Sequence, residues 1–430
     1  MSLAFLPLFC PNAVACEASL LSVKGNPDWN VRRYGTEEEL KTGWPEVKRA
    51  DDFWLKPEVL AFQINNPQGL TTEVLVLENS KDHRRVMLTA QTFYFSAGGQ
   101  VSDDAKGETS NYDFRRRLLS PFSFKILCLG QFLVSGDFAS EGLKQLSPTE
   151  AATILPALAN TLMACSASYV GVLIKDLYGT TDPSTKALEN EGFYQLPVDP
   201  VMQMKIPEHW LSMEDYLADL KSKYRVRHRR ARGKLEGITR RELSAREVAT
   251  NRDRIYQLYK GTSSGADFNA AALTPEYFPW LAAFGQTKKR LSSVTTISEE
   301  LLLAEFELTD GPARLHGYFN PAGELIGFTS IIANGTVLHA HFLGMEDAYK
   351  RSHHLYHNIL FDLLEEAIDG GFETLDYART APEIKTSVGA TARKYAVMAK
   401  ARPWLINKLI PVFTPAVYKA IVWTARNPFR

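Results

Sequence analysis

The sequence of 430 residues carries no net charge, since 49 lysines and arginines balance 49 aspartates and glutamates. A balanced chain has no whole-surface field for nucleic acid or an anionic membrane, so such contacts must come from local charge. Cysteine is scarce: four residues, at 10, 16, 128 and 165, form no C-x-x-C pair. That excludes a zinc ribbon and a dense disulfide framework, and predicts thiols in a reducing, cytoplasmic setting. No uninterrupted run of about 18 apolar residues occurs, so a conventional membrane span is not expected. The apolar first twenty residues lack a basic leading region and are broken by Pro7 and Pro11, which argues against a secretory signal, and Ala13 to Cys16 is a poor lipobox. There is no Gly-x-Ser-x-Gly elbow and no Walker loop. His353, His354 and His357 have metal-like spacing without the carboxylate of an H-E-x-x-H motif, so no metal is expected.

What the chain does have is a repeated order. Its length exceeds what one hydrophobic core usually organises, so two domains are expected. β-Branched and aromatic residues cluster between Gly, Pro and Ser over 86–97 and 124–138, predicting strands. Ser147 before Pro148 is a helix start: the hydroxyl can accept from a free amide, and proline at the first helical position forfeits no bond. A helix is predicted over 151–167, then a strand over 169–176, a short helix over 184–191 ending at Gly192, and a strand over 193–206. The second half repeats this with strand 336–343, helix 353–369, strand 372–378, short helix 382–388 ending at Gly389, and strand 391–399. The recurrence predicts a duplicated α/β unit, although the copies share almost no residue identity. Between them, helices are predicted over 213–235 and 246–262, then antiparallel strands over 291–333 with a hairpin turn at Asn320 to Gly323.

Lys221 to Arg232, a run dense in Lys and Arg around Tyr224, resembles a helix of the Fem-type peptidyltransferases and their double acetyltransferase-fold (GNAT) relatives. Leu375 to Ala390, which reads Leu-Asp-Tyr-Ala-Arg-Thr-Ala-Pro-Glu-Ile-Lys-Thr-Ser-Val-Gly-Ala, resembles the strand, loop and helix these proteins place beside the acyl-donor groove. With His339 to Gly344, the matches span 207–400. The resemblance implies an α/β (α+β) fold of tandem GNAT-like domains, each a twisted mixed sheet flanked by helices. The division expected is a degenerate N-terminal domain over 1–206, a C-terminal domain with the active site over 207–400, and an amphipathic tail over 401–430. It further implies a cleft where central strands splay and a donor thioester lies against backbone amides, with transfer to an amine. The co-substrate so implied is acyl-coenzyme A, with no cofactor bound. One departure stands out: no Arg/Gln-x-x-Gly-x-Gly/Ala phosphate loop follows the strand ending at Leu343. Lys350, Arg351 and Ser352 stand there instead, before a helix whose terminal amides can join the two cations in holding a pyrophosphate.

Ten basic residues fall between Lys221 and Arg241, yet Leu217, Leu220, Tyr224, Ala231 and Leu235 make an apolar stripe at helical spacing. One face should pack. The others, Arg225 among them, are either a solvated basic face or a phosphate-binding one. His228 falls on the inner stripe, as a core histidine. His339 and His341 share one face of a strand, with Leu338, Ala340 and Phe342 on the other. A histidine near neutrality suits removing a proton from an attacking amine, so both are candidate bases, His341 first because it lies nearer the strand's C-terminal end. Asp376, Tyr377, Arg379, Glu383 and Lys385 gather at the end of the next strand, where ligands bind in open α/β sheets. Arg379 and Lys385 are candidate donor anchors, Tyr377 a proton donor to the leaving thiolate, and Asp376 and Glu383 substrate contacts, with an ion pair of Glu383 as the plain alternative. Tyr356 and Asn358 either orient substrate or pack.

The tail interleaves Trp404, Leu405, Ile406, Leu409, Val412 and Trp423 with Lys408, Lys419 and Arg426. It fits two short helices on the inner face of a membrane, or a segment docked on its own domain. The leading functional expectation is an N-acyltransferase acting on an amine such as a sphingoid base, like the acetyltransferase-like bacterial ceramide synthases. A Fem-type enzyme using aminoacyl-tRNA and a peptidoglycan precursor is the alternative, and a non-catalytic binding module the third.

Overall fold

The structure, a computed structural model, describes residues 20–43, 52–96, 123–166, 168–263, 273–286, 311–417 and 423–430. Cys10, Cys16, the strands expected over 291–310, and Lys419 of the tail lie outside the described residues. The class is the one expected: mixed α/β, with two mixed sheets flanked by helices.

The first sheet uses β1 (Leu20–Ser22), β2 (Trp29–Tyr34), β3 (Thr71–Asn79), β4 (Arg85–Ser96), β5 (Ser123–Leu129), β6 (Ser140–Glu141), β7 (Tyr169–Gly179) and β8 (Tyr194–Leu196). The second uses β9 (Val201–Lys205), β10 (Thr239–Glu242), β11 (Ala313–Phe319), β12 (Leu325–Asn334), β13 (Val337–Met345), β14 (Thr374–Asp376) and β15 (Thr391–Arg393), and β16 (Tyr395–Ala401) returns to the first. In each sheet one described pairing is parallel, β5 with β7 and β13 with β14; the rest are antiparallel. Next to each parallel pair lies a strand from the other half. β16 sits between β7 and β8, and β9 between β14 and β15. The strand expected over 193–206 is therefore two, because Pro197 and Pro200 lack the amide needed to continue a ladder and turn the chain toward the other sheet. The strand expected over 391–399 likewise parts at Lys394. Sheet membership thus does not follow a division at residue 206.

The helices are α1 (Glu37–Gly43), α2 (Pro57–Asn65), α3 (Pro148–Ala164), α4 (Pro183–Asn190), α5 (Met213–Asp219), α6 (Ser222–Gly233), α7 (Ala245–Thr250), α8 (Arg252–Ser263), α9 (Tyr277–Gln286), α10 (Asp347–Ser352), α11 (Leu355–Asp369), α12 (Pro382–Ser387) and α13 (Trp404–Val417). α3 starts where expected: the Ser147 hydroxyl accepts from the Glu150 amide at 3.3 Å and the Glu150 carboxylate accepts from the Ser147 amide at 2.9 Å. The helix expected over 213–235 breaks at Leu220, whose backbone bridges to Phe429.

Beside a smaller core that packs α1 and α2 on β2 and β3, three cores position these elements. One packs α3 on the first sheet and one packs α11 on the second. The third joins the halves: Phe53, Trp54 and Phe62 meet Tyr277, Phe278, Trp280 and Phe328, with the Phe62 and Trp280 rings stacked 3.7 Å apart. Each fully buried side chain of this kind contributes about 1.5–3 kcal/mol, so neither half is indifferent to the other. Cys128 is a buried thiol, whereas Cys165 is disulfide-bonded, a departure from the four thiols expected. Among the described residues no helix is long and apolar enough to cross a membrane.

Candidate active site

Parallel pairing of β13 with β14 covers only Val337↔Thr374, Leu338↔Leu375 and His339↔Asp376. There β14 ends, while β13 runs on to Met345 along β12. Among the described strands, residues 340–345 therefore keep a neighbour on one side only, and a wedge opens with His339 and Asp376 at its apex. β13 also bulges here. Thr329 pairs with Leu343 and Ile331 with Ala340, so His341 and Phe342 together oppose Ser330, whose hydroxyl accepts from the Phe342 amide and donates to its carbonyl, both at 3.0 Å. The bulge breaks the alternation expected from sequence: Phe342 shares the shared-core face with His341, their rings 4.3 Å apart, instead of pointing away. At the rim, the α8 backbone lies directly on Gly344, where a Cβ would fall 2.4 Å from the Leu258 carbonyl carbon. Only glycine lets α8 close down here.

At the apex, His339 and Asp376 are both buried. Burial lowers the His339 imidazole to about 4, against the pull of Asp52. Burial pushes the Asp376 carboxyl up to about 6, although Gln203 Nε2 at 3.0 Å and the Ala378 amide at 2.7 Å donate to it. His339 Nδ1 lies 3.9 Å from Asp376 Oδ2, and with the ring neutral this is a dipolar contact, not an ion pair. Behind His339, Asn334 donates to Asp52 at 3.1 Å, while Asp52 also accepts from the Ala139 amide at 2.6 Å. Burial pushes the Asp52 carboxyl up as well. His341 is partly buried against Trp54, with Nε2 2.6 Å from the Tyr277 hydroxyl. Burial keeps the Tyr277 phenol protonated and His341 neutral well below its ordinary range, so the bond joins two neutral groups and its donor is set by the imidazole tautomer. Sequence reasoning missed Tyr277, Trp54, Asp52, Asn334 and Gln203, because no local pattern links residues on separate elements that meet only in the fold.

Several expected anchors hold the loop after β14 instead of facing solvent. Lys385 is buried, and its ammonium donates to the carbonyls of Tyr377 at 2.6 Å, Ala378 at 3.4 Å and Arg379 at 2.5 Å. Burial pulls it down to about 7, opposed by Asp376 and Asp199. It thereby supports a backbone in which Ala378, Thr380 and Ala381 all have positive φ, a conformation unfavourable for residues with a Cβ. Arg379 donates to Asp176 of β7 and to the Asp199 carbonyl, tying this loop to the other half. Burial raises the Asp176 carboxyl, but Lys175 and Arg379 together hold it below its ordinary range. Tyr377 is buried with its hydroxyl donating to the Leu360 carbonyl at 2.9 Å, so the phenol points into the core under α11 and away from a leaving group. Glu383 pairs with Arg426, the plain alternative for that residue.

Of the remaining candidates, Asn358 is buried and donates to the Ala231 carbonyl at 2.9 Å, and Tyr356 packs on the same core; both serve the α6–α11 contact. Arg225 donates to the Leu220 carbonyl, and Arg232 pairs with Asp362 on α11. His228 sits edge-on to Phe361 at 4.6 Å, as a stripe residue should, and burial lowers it to about 4. The outward cations lie elsewhere: Lys350 and Arg351 are exposed on α10 and have no ion-pair partner among the described residues. A cavity of about 240 Å³ is lined by Tyr224, Arg227, Arg230, His354, His357 and Ser387. His354 takes a left-handed φ of 49° just before α11, where the first amides of that helix point outward. Among the described residues no group of three His, Cys, Asp or Glu side chains is placed to hold a metal ion.

No family model and no curated protein matches the chain. Among solved structures it is similar to FemX, at 11% identity over 84% of this chain and 94% of that one, with a TM-score of 0.49. It is also similar to a tandem GNAT protein from the clavulanic acid biosynthesis pathway, at 10% identity over 80% and 87% with a TM-score of 0.43, and to L-PGS from Bacillus licheniformis, at 12% identity over 69% and 83% with a TM-score of 0.37. These are resemblances of chain course, at identities too low to carry residue roles across.

Proposed function

We propose that this protein is an N-acyltransferase moving an acyl group from a thioester, acyl-coenzyme A, to an amine, with an amphiphilic amine such as a sphingoid base as the acceptor class. The observation that carries the reading is the wedge between β13 and β14, which leaves a row of strand amides and carbonyls beside two neutral histidines and a carboxyl near 6. A donor's amide-rich arm can add to β13 as a further strand would, and a carbonyl held there meets hydrogen-bond donors fixed by the sheet. The amine nitrogen attacks the thioester carbon, the C–N bond forms, the C–S bond breaks, the ammonium proton passes to a base and the thiolate takes up a proton. His341 and the Asp376–His339 pair are the bases of this scheme; Tyr377 has no part in it, because its hydroxyl is committed to Leu360. The donor's phosphates belong with Lys350, Arg351, Arg227 and Arg230, near the start of α11.

Thiol release tests the reading directly. Protein, acyl-coenzyme A and a panel of short- and long-chain amines are combined, and free coenzyme A is followed. Release that depends on the amine, and that falls about 100- to 10,000-fold in kcat for His341→Ala with unchanged donor affinity, supports it. No release with any amine would sink it. One observation favours the aminoacyl-tRNA donor instead: Lys223, Arg227, Arg229 and Arg230 are exposed along α6. Binding of charged tRNA that weakens steeply with salt would select that donor.

A further inference from the structure

Among the described residues, the outward face of α13 has no partner. Its inner side is fixed: Asn407 accepts from the Ala401 amide at 2.8 Å and donates to the Gly192 carbonyl at 3.1 Å. Its outer side presents Trp404 at 68% exposure, Leu405 at 65% and Val412 at 66%, with Ile406 and Leu409 at 42% each. Of the nine large hydrophobic residues exposed among the described residues, these are five, gathered on three turns of one helix. Scattered exposed apolar residues need no cause, whereas such a cluster does.

Charge indicates what covers it. From Ile384 to Arg430 the sequence holds nine lysines and arginines and no aspartate or glutamate, in a chain whose total charge is zero. Arg402 at the foot of α13 and Lys408 on its exposed side have no carboxylate partner among the described residues, and Lys400 nearby donates to the Glu191 backbone carbonyl. Two copies joined through this face would bring like charges together. The helix is 14 residues long, about 21 Å, against a hydrocarbon core of roughly 30 Å, so it cannot span one and must lie in the interface plane.

We propose that α13 docks the protein on an anionic phospholipid bilayer, its Trp404, Leu405, Leu409 and Val412 entering the acyl boundary while Arg402 and Lys408 meet headgroup phosphates. The segment 423–430 takes no part. Phe429 packs in the second-sheet core and Arg426 pairs with Glu383, so this part of the tail is docked on the protein itself. The docking surface stands whether or not the transfer reading holds.

Flotation of the full chain with vesicles of phosphatidylcholine alone, and of phosphatidylcholine with about a third phosphatidylglycerol, tests it. The parent chain floats with the anionic vesicles and sediments from the neutral ones, and added salt weakens the partition. Leu405→Asp/Val412→Asp lowers anionic partition at least about tenfold at an unchanged melting temperature, because both side chains already face solvent. Lys408→Glu lowers it less, also without a stability change. Three results overturn the proposal: equal or absent partition to both vesicles, a double variant that melts early, or a parent dimer in solution that Leu405→Asp/Val412→Asp dissolves. The last would make a second copy the occupant.

Discussion

Arg379→Ala removes the one side chain by which the loop after β14 grips the carboxylate at the end of β7. Asp176 is 1% exposed, and losing the guanidinium leaves it Lys175 at 2.7 Å and the Gly136 amide at 3.2 Å. Breaking one partner out of a buried pair typically costs 3–5 kcal/mol, and the surviving lysine places the expected loss near the lower end, about 3 kcal/mol. The double variant Asp176→Asn/Arg379→Met removes the deserted carboxylate but leaves the Lys175 ammonium with only the Gln131 and Val134 carbonyls, so it should recover part of that loss. The pH dependence has a fixed sign. Asp176 is held below its ordinary range in the fold, so its stabilisation is present above the unfolded value and lost as pH falls through the folded one. The penalty of Arg379→Ala is therefore largest near neutrality and fades in acid, where the deserted carboxyl takes up a proton. Melting curves of the three chains at pH 7 and pH 4 measure this. A single variant that melts with the parent and changes only donor KM would refute the reasoning and return Arg379 to the ligand.

Asp376 has the opposite sign: its carboxyl is raised from 3.8 to about 6, so it opposes folding increasingly as pH rises between those values, by about 3 kcal/mol in full. Asp376→Asn should remove that slope from melting temperature plotted against pH, and a parent-like slope in the variant would reassign the group. Gly344→Ala forces a methyl into the α8 backbone and should cost about 1–3 kcal/mol with loss of the packing at the rim, read by melting temperature; a neutral substitution would mean α8 stands off β13.

Elements were legible where local chemistry sets them. Ser147 and Pro148 start α3, and Asn320 to Gly323 make the turn between β11 and β12, with the Asn320 side chain accepting from Ala322 and Glu324 amides. The wedge residues His339, His341 and Asp376 were also found, since a strand pattern ending in a loop marks the sheet's C-terminal edge. What stayed hidden was register and partnership. A bulge at Ser330 turned Phe342 over, and nothing near Lys385 or Arg379 tells a cation facing solvent from one folded back onto carbonyls or a carboxylate. The same holds for β9 and β16, whose sequences fit either sheet.

The exchange of β9 and β16 bears on how such a chain arises and how it can be cut. In each half the last strand leaves its own sheet and completes the other. Two identical subunits that trade a terminal strand make a swapped dimer, and joining their ends in one gene yields this topology without rebuilding either sheet. Once joined, the halves are free to drift apart in sequence, because each is kept in register by the other's strand and not by likeness to it. A cut just after β9, near residue 206, would yield two pieces with an open slot inside each sheet, flanked by bare edges that invite foreign strands. Added back together, the pieces should find each other through those slots.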